Sequence, residues 1–357
     1  MHRHLALALL LLLSSCGGGS KGNGGGSADL STLTGTYWAV AMAATTVTTD
    51  SEATWGTMVS DGAGSIMPHS TTNDDGVVST PLLTSSFGYE IDANGEIRFL
   101  LGPNPVYRGR ITDDGRYAVL SSLGEPRIIV LVRREGTHTV ADIAGTYAFA
   151  GAGFATGPAA YFMSAVFDGI GVFAGTGAIN EAGSIDGGNH SGLYDVAANG
   201  GVSMGILGVP FLGGLGGDNN FVLLGGGTTN GNDPLGWFLV RRPDSGGNNG
   251  LLSGTYYACG VETALGSTDE AQAFWGVVQA NGLGGFTLQG QTTGPGAVAP
   301  LSLSGTYGVA GDGTLTMNRG GLIENLTGAV SPDGRVAIAS GGTTASSNPV
   351  LILMFRR

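Results

Sequence analysis

A Gly-Thr-Tyr tripeptide occurs at Gly35-Thr36-Tyr37, at Gly145-Thr146-Tyr147 and at Gly254-Thr255-Tyr256, with spacings of 110 and 109 residues. An aliphatic residue stands two positions ahead of each copy: Leu33, Ile143 and Leu252. Other landmarks then follow in a fixed order. A turn signal comes 21 to 25 residues after each Tyr, as Asp61-Gly62-Ala63-Gly64, Asp168-Gly169-Ile170-Gly171 and Asn281-Gly282-Leu283-Gly284. A second tyrosine precedes a glycine by six residues, as in Tyr89 and Gly95, Tyr194 and Gly200, Tyr307 and Gly313. Next come Asp114-Gly115, Asp218-Asn219 and Asp333-Gly334, and each stretch closes on an apolar run with two arginines (128–134, 237–242, 350–357). Self-similarity at a fixed period decides an architecture before any local element is read. The chain is a triplication, with units at 29–134, 143–242 and 251–357 joined by the polar linkers 135–142 and 243–250.

The landmarks are turn chemistry. Asp-Gly and Asn-Gly favour tight hairpins because both residues tolerate positive φ. Between them lie short segments rich in β-branched and aromatic residues, such as 116–120, 221–224 and 335–339, and nothing after residue 15 sustains a helical period. Each unit therefore reads as about eight short antiparallel strands. A meander of that size closes on itself to remove its edges. The expectation is an all-β chain of three tandem antiparallel up-and-down barrel-like modules. One observation supports a different arrangement. Gly305-Thr306-Tyr307 repeats the motif half a unit after Gly254, and six half-units would make a six-bladed β-propeller. If the units are modules, residues 251–357 fold alone; if they are blades, they do not.

Gly-x-aromatic on a first strand with arginine on the last resembles the calycin group, which includes the lipocalins. The resemblance implies a latch between Tyr37 and Arg133 or Arg134, Tyr147 and Arg241 or Arg242, Tyr256 and Arg356 or Arg357, by a cation–π contact of about 0.5–2 kcal/mol. Alternation along a strand leaves one arginine of each pair for solvent or a carboxylate. The same resemblance implies carriage of a small apolar ligand. A barrel this small is generally filled by its own side chains, which counts against it.

The N-terminus carries the expectation for where the chain resides. Met1 to His4 is short and basic, and residues 5–13 are an unbroken apolar run. Nine residues fall short of the ~20 a membrane-spanning helix needs and suit a signal peptide, residues 1–15. Leu13-Ser14-Ser15-Cys16 resembles the lipobox of bacterial lipoproteins. It implies cleavage before Cys16 and acylation (palmitate among the chains) of its thiol, with the membrane as partner. In that family Gly17, rather than Asp, after the cysteine implies the outer membrane. Residues 17–28, nearly all Gly and Ser, form a tether spanning about 20 Å root-mean-square.

Composition excludes more than it assigns. The chain has 67 glycines without a collagen period, and its formal net charge of −12 becomes −13 once residues 1–15, with Arg3 and no acid, are removed. An acidic body repels phosphate backbones, so nucleic acid is not a partner. The two cysteines are Cys16 and Cys259; with Cys16 acylated, neither a disulfide nor a cysteine zinc site is available. Cys259 falls in register with Val40 and Ala150, as a small core residue does. His69, His138 and His190 hold no repeated position or ligand spacing, and read as scattered surface histidines. Gly151-x-Gly153-x-x-x-Gly157 lacks the following helix that a dinucleotide loop requires. Asp92-x-Asn94-Gly95 and Asn73-Asp74-Asp75-Gly76 lack a calcium ligand set.

No catalytic residue, cofactor site or metal site is assigned. The sequence supports an envelope lipoprotein with a structural or interaction role, not an enzyme. Its partner is an envelope protein or a small apolar ligand, which the sequence leaves open. Cys16→Ser is expected to release the protein from membranes or to leave it unprocessed; palmitate labelling unchanged in that variant would contradict the anchor.

Overall fold

The computed structural model describes residues 29–43, 52–74, 77–80, 86–153, 159–181, 184–206, 208–227, 235–262, 271–294, 297–320, 325–341 and 349–357. The signal segment, Cys16 and the tether lie outside them, as does Gly157. Barrel 1 comprises β1 (Thr34–Ala43), β2 (Glu52–Asp61), β3 (Ser65–Asp74), β4 (Val77–Ser79), β5 (Phe87–Ile91), β6 (Glu96–Leu101), β7 (Asn104–Ile111), β8 (Tyr117–Ser122) and β9 (Arg127–Arg133). Barrel 2 comprises β10 (Gly145–Gly153), β11 (Ala159–Phe167), β12 (Val172–Glu181), β13 (Ser184–Val196), β14 (Gly201–Ile206), β15 (Val209–Leu215), β16 (Phe221–Gly226) and β17 (Leu235–Arg241). Barrel 3 comprises β18 (Ser253–Glu262), β19 (Gln272–Asn281), β20 (Gly285–Gly294), β21 (Ala297–Val309), β22 (Thr314–Arg319), β23 (Asn325–Val330), β24 (Val336–Gly341) and β25 (Val350–Arg356).

Each unit is a closed, eight-stranded antiparallel barrel, sealed by its last strand pairing with its first: β9 with β1, β17 with β10, β25 with β18. In barrel 1 the short β4 and β5 share the place of the single strands β13 and β21, and both pair with β3. The propeller alternative is not what forms. Gly305-Thr306-Tyr307 lies inside β21, paired to β20 and β22, and begins no blade.

The landmarks collect at one end of each barrel, here the near end, where the first strand starts. A 3-10 turn plugs it (Leu30–Thr32, Val140–Ile143, Asn249–Leu251); the fully buried Leu33 and Leu252 follow theirs, and the fully buried Ile143 ends its own. The second tyrosine staples the plug. Tyr89 donates to the Leu30 and Leu33 carbonyls at 3.0 Å, and Tyr307 to the Leu252 carbonyl at 2.5 Å. The first tyrosine crosses the end. Tyr37, Tyr147 and Tyr256 have no exposed surface and donate to the carbonyls of Gly115, Asn219 and Gly334 at 2.9, 2.8 and 2.7 Å. Those carbonyls belong to the Asp114-Gly115, Asp218-Asn219 and Asp333-Gly334 turns, whose second residue has positive φ in every copy. Asn tolerates that conformation better than other side chains, so Asn219 can replace glycine there.

Barrel interiors are filled. In barrel 2, Phe149, Phe167, Phe173 and Trp237 pack with ring centroids 5.3–6.1 Å apart. Strands β8, β9, β16, β17, β24 and β25 are almost wholly buried, on both faces. Their inward residues fill the barrels. Their outward residues join one shared core drawn from all three units, including Val130, Val132, Phe221, Phe238, Leu351, Leu353 and Phe355.

The barrels thus form a ring. The first two strands of each lie on the sixth and seventh of the next: β1 and β2 on β15 and β16, β10 and β11 on β23 and β24, β18 and β19 on β7 and β8. A head-to-tail contact of this type closes only if its rotation does, and here it closes after three. At the axis Tyr117, Phe221 and Phe355 meet, with centroids 4.7, 5.1 and 6.0 Å apart. Barrel 3 therefore closes alone in hydrogen bonding but not in apolar burial. Isolated, it would expose Tyr257, Trp275, Leu351, Leu353 and Phe355.

Burial pushes the Tyr37 and Tyr256 phenols up to about 12, so both remain donors across the physiological range. Tyr256→Phe strands the Gly334 carbonyl and is expected to cost about 1–2 kcal/mol, read by urea unfolding of residues 29–357. A variant as stable as the parent would show that this bond is dispensable.

Candidate functional site

The near-end turns bind one another in a cycle around the axis. Tyr117 of barrel 1 donates to Asp218 of barrel 2 at 2.7 Å, Asn220 of barrel 2 to Asp333 of barrel 3 at 3.1 Å, and Arg335 of barrel 3 to Asp114 of barrel 1 at 3.1 Å. Burial raises the Tyr117 phenol well above its usual range, and the Asp218 carboxylate raises it further. A small polar recess of about 260 Å³ opens here, lined by Asp113, Asp114, Asp333, Arg335 and Arg357. Its carboxylates are paired, Asp114 and Asp333 with Arg335 and Asp113 with Arg357, and Arg356 also lines it.

The larger opening is a cleft of about 710 Å³ between barrels 1 and 2. Barrel 1 contributes Trp38, Trp55, Pro68 and His69, and barrel 2 contributes Asp195, Asn199, Ser203 and Leu212. The seam beside the cleft depends on glycine. A β-carbon on Gly214 would fall inside the Trp38 indole, one on Gly225 would lie 2.5 Å from the Trp55 β-carbon, and one on Gly236 would collide with Met42. Barrel 2 thus offers bare backbone where barrel 1 offers its bulkiest side chains. Trp38 has its own brace, the Arg134 guanidinium 5.7 Å from the ring centroid. Asn73 is buried at the seam and donates to the Gly227 carbonyl at 2.8 Å. His69 and Asp195 are exposed, so the cleft joins an apolar floor to a polar rim.

The barrel 3–barrel 1 seam uses the equivalent positions but is closed over. Arg108 and Arg110 sit 5.4 and 5.7 Å from the Trp275 centroid, and Arg110 5.8 Å from that of Tyr257. Glu96 holds these arginines, 2.7 Å from Arg108. Burial opposes its ionisation, but the Arg108 and Arg98 hydrogen bonds outweigh that and keep its carboxyl below the usual range.

The latch residues come together in register: Tyr37 opposite Arg133, Tyr147 opposite Arg241, Tyr256 opposite Arg356. The guanidinium–ring contacts among the described residues lie elsewhere, on Trp38, Trp275 and Tyr257. Arg133 donates instead to the Thr34 and Asp114 carbonyls, at 3.0 and 3.3 Å. The second arginines reach outward. Besides the Arg134 contact on Trp38, Arg242 of barrel 2 bonds Asp312 and Thr314 of barrel 3, and Arg357 donates to Asp113 of barrel 1 at 3.1 Å. These last two join barrels rather than seal one.

Cys259 has no exposed surface and belongs to the shared core between barrels; burial pushes its thiol far above the usual range. His138 corrects the expectation of surface histidines: it is buried, with Nε2 2.6 Å from the Glu135 carbonyl. Asp92 accepts from the Asn94 and Glu96 amides at 2.8 and 2.9 Å, as a turn residue does. Among the described residues no group of His, Cys, Asp and Glu is arranged to hold a metal. Sequence reasoning missed Trp38 and the receiving glycines. The signal was the pairing of Gly213-Gly214 and Gly225-Gly226 with apolar strand residues in the second unit alone.

No family model and no curated protein matches the chain. Among solved structures, isotype 1 transferrin binding protein B from serogroup B Neisseria meningitidis aligns over 90% of this chain and 76% of its own, at 7% identity and a TM-score of 0.27. A protein of unknown function from Nostoc punctiforme aligns over 93% of this chain and 100% of its own, at 9% identity and a TM-score of 0.20. Neither likeness bears on what this chain does.

Gly214→Val drives a branched side chain into Trp38. It is expected to cost about 1–3 kcal/mol as overpacking and to shift tryptophan emission to the red. Unchanged stability and emission would contradict the seam.

Proposed function

We propose that this chain is a lipoprotein anchored through Cys16 in the bacterial cell envelope, at the outer membrane, and that its ring of barrels is a non-enzymatic binding body. Its recognition surface is the cleft between barrels 1 and 2, and its partner an envelope protein segment. One observation carries the reading: the cleft has room for a ligand where the barrel 3 interior does not. The cavity inside barrel 3 is about 70 Å³, against roughly 300–1,000 Å³ for sites that take small molecules. The cleft of about 710 Å³ lies outside the barrels, where apolar floor and polar rim suit a peptide edge or loop. The groups that most resemble chemical apparatus are committed to structure. The first tyrosines donate to turn carbonyls, Cys259 is enclosed, and the paired arginines bond carbonyls or neighbouring barrels.

Carriage of a small apolar ligand is the second reading. Barrel 3 is its best location, because its cavity is apolar and capped by the Arg319–Glu262 ion pair at 2.7 Å. The two readings separate cleanly. A photo-crosslinking side chain at His69 or Asp195 is expected to capture one envelope protein in intact cells, while the same group at Gly124, on the far end of barrel 1, does not. Equal capture from both places would contradict the cleft. A stoichiometric fatty acid in the native mass spectrum of the purified protein would establish the carrier instead.

A further inference from the structure

The near end of barrel 2 carries aliphatic side chains that nothing in the fold covers. Val166, Ile170, Val172 and Leu193 are 58, 83, 44 and 70% exposed. Val172 and Leu193 are cross-strand partners, and Val166 lies diagonally beside them through its pairing with Ala174. Ile170 tips the hairpin next to them. On barrel 3, Leu283 holds the equivalent tip and is 85% exposed.

These tips are built rigidly. Asp168 accepts from the amides of Ile170, Gly171 and Val172 at 2.8, 3.0 and 2.9 Å. Asn281 accepts from those of Leu283 and Gly285 at 2.8 and 2.9 Å. Glycines at positive φ flank each aliphatic residue: Gly169 and Gly171, Gly282 and Gly284. The polar side chain of the turn is thus folded back onto its own backbone, and the aliphatic one is left outermost. Isolated exposed aliphatics need no explanation, but a contiguous patch marks an interaction surface.

The direction this end faces identifies the occupant. The near ends of all three barrels point the same way, because their turns bond one another around the axis. The chain enters the body at this end. Asp29 caps Leu30–Thr32 at 3.0 Å through Ser31, and a β-carbon on Gly62, in the matching hairpin of barrel 1, would lie 3.7 Å from Ser31. Only twelve residues, 17–28, separate Cys16 from Asp29. Acylation at Cys16 would therefore keep the near end, rather than the far end, toward the bilayer.

We propose that this patch and Leu283 seat on that bilayer, with their side chains at the boundary between headgroups and acyl chains. The proposal rests on the lipoprotein reading and adds an orientation: near end on the lipid, far-end loops outward. The cleft between barrels 1 and 2 is then held at a fixed attitude to the membrane.

The test uses the full-length acylated protein in vesicles of phosphatidylethanolamine and phosphatidylglycerol. A single environment-sensitive thiol label is placed at Ile170→Cys, Leu193→Cys or Leu283→Cys. The control is Leu101→Cys, an exposed apolar position, 49% exposed, on the far end of barrel 1. Cys259 is buried and does not compete for the label. Near-end labels are expected to shift to the blue and to be quenched by nitroxide lipids, and the Leu101→Cys label to do neither. Adding Ile170→Asp and Leu193→Asp should abolish the shift at Leu283→Cys while the protein still floats with the vesicles. Flotation with water-like emission at all near-end positions would overturn the membrane contact alone. Failure to float would overturn the anchor and this proposal with it. A blue shift in the Cys16→Ser protein without vesicles would assign the patch to a second copy of the chain and overturn the proposal.

Discussion

The structure depends on six strands that are buried on both faces. In β9, residues 128–132 alternate inward and outward like any strand, yet neither set meets water. Ile129 and Leu131 fill barrel 1, while Ile128, Val130 and Val132 enter the core shared by three barrels. The same holds for β17 and β25. Fully burying one such side chain contributes roughly 1.5–3 kcal/mol, so the shared core stabilises the ring about as a domain core stabilises a domain. The consequence is that three sheets with independent hydrogen bonding make one apolar unit.

Ring closure explains the differences among otherwise equivalent positions. At the axis, barrels 1 and 2 place their aromatic on the seventh strand (Tyr117, Phe221) opposite a valine on the eighth (Val132, Val240); barrel 3 reverses this, with Val336 opposite Phe355. Three rings meet where a strict repeat would stack them identically. The seams differ likewise. Trp38 and Trp55 require the glycines of barrel 2, and Tyr257 and Trp275 require the arginines of barrel 1. At the barrel 1–barrel 2 seam glycine makes room for tryptophan, and the cleft opens beside it.

Much of this was legible in the sequence. Every repeated landmark except the closing apolar run is a near-end feature: plug, first tyrosine, hairpin tip, second tyrosine, carbonyl-bearing turn. Local chemistry fixes such elements, and local chemistry is what a tripeptide such as Gly254-Thr255-Tyr256 records. What the tyrosine bonds was less legible. Its hydroxyl reaches a turn 78 residues away in barrels 1 and 3, and pairing it with the terminal arginines found the strand neighbour but not the acceptor. The ring itself was written in two places. The closing runs, such as 350–355, show no polar residue in alternation, which is how strands covered on both faces read. The glycines of β15 to β17 have no turn to serve. Neither signal names its partner, because the partner is a hundred or more residues away. The cleft, made from two units, could not be seen from either.

Small-angle scattering from residues 29–357 tests the ring most directly. A compact chain of that length has a radius of gyration of about 20 Å, and the account predicts that value with a single-peaked distance distribution. A radius of roughly 25 Å or more, with the separate peaks of barrels strung on linkers, would contradict it.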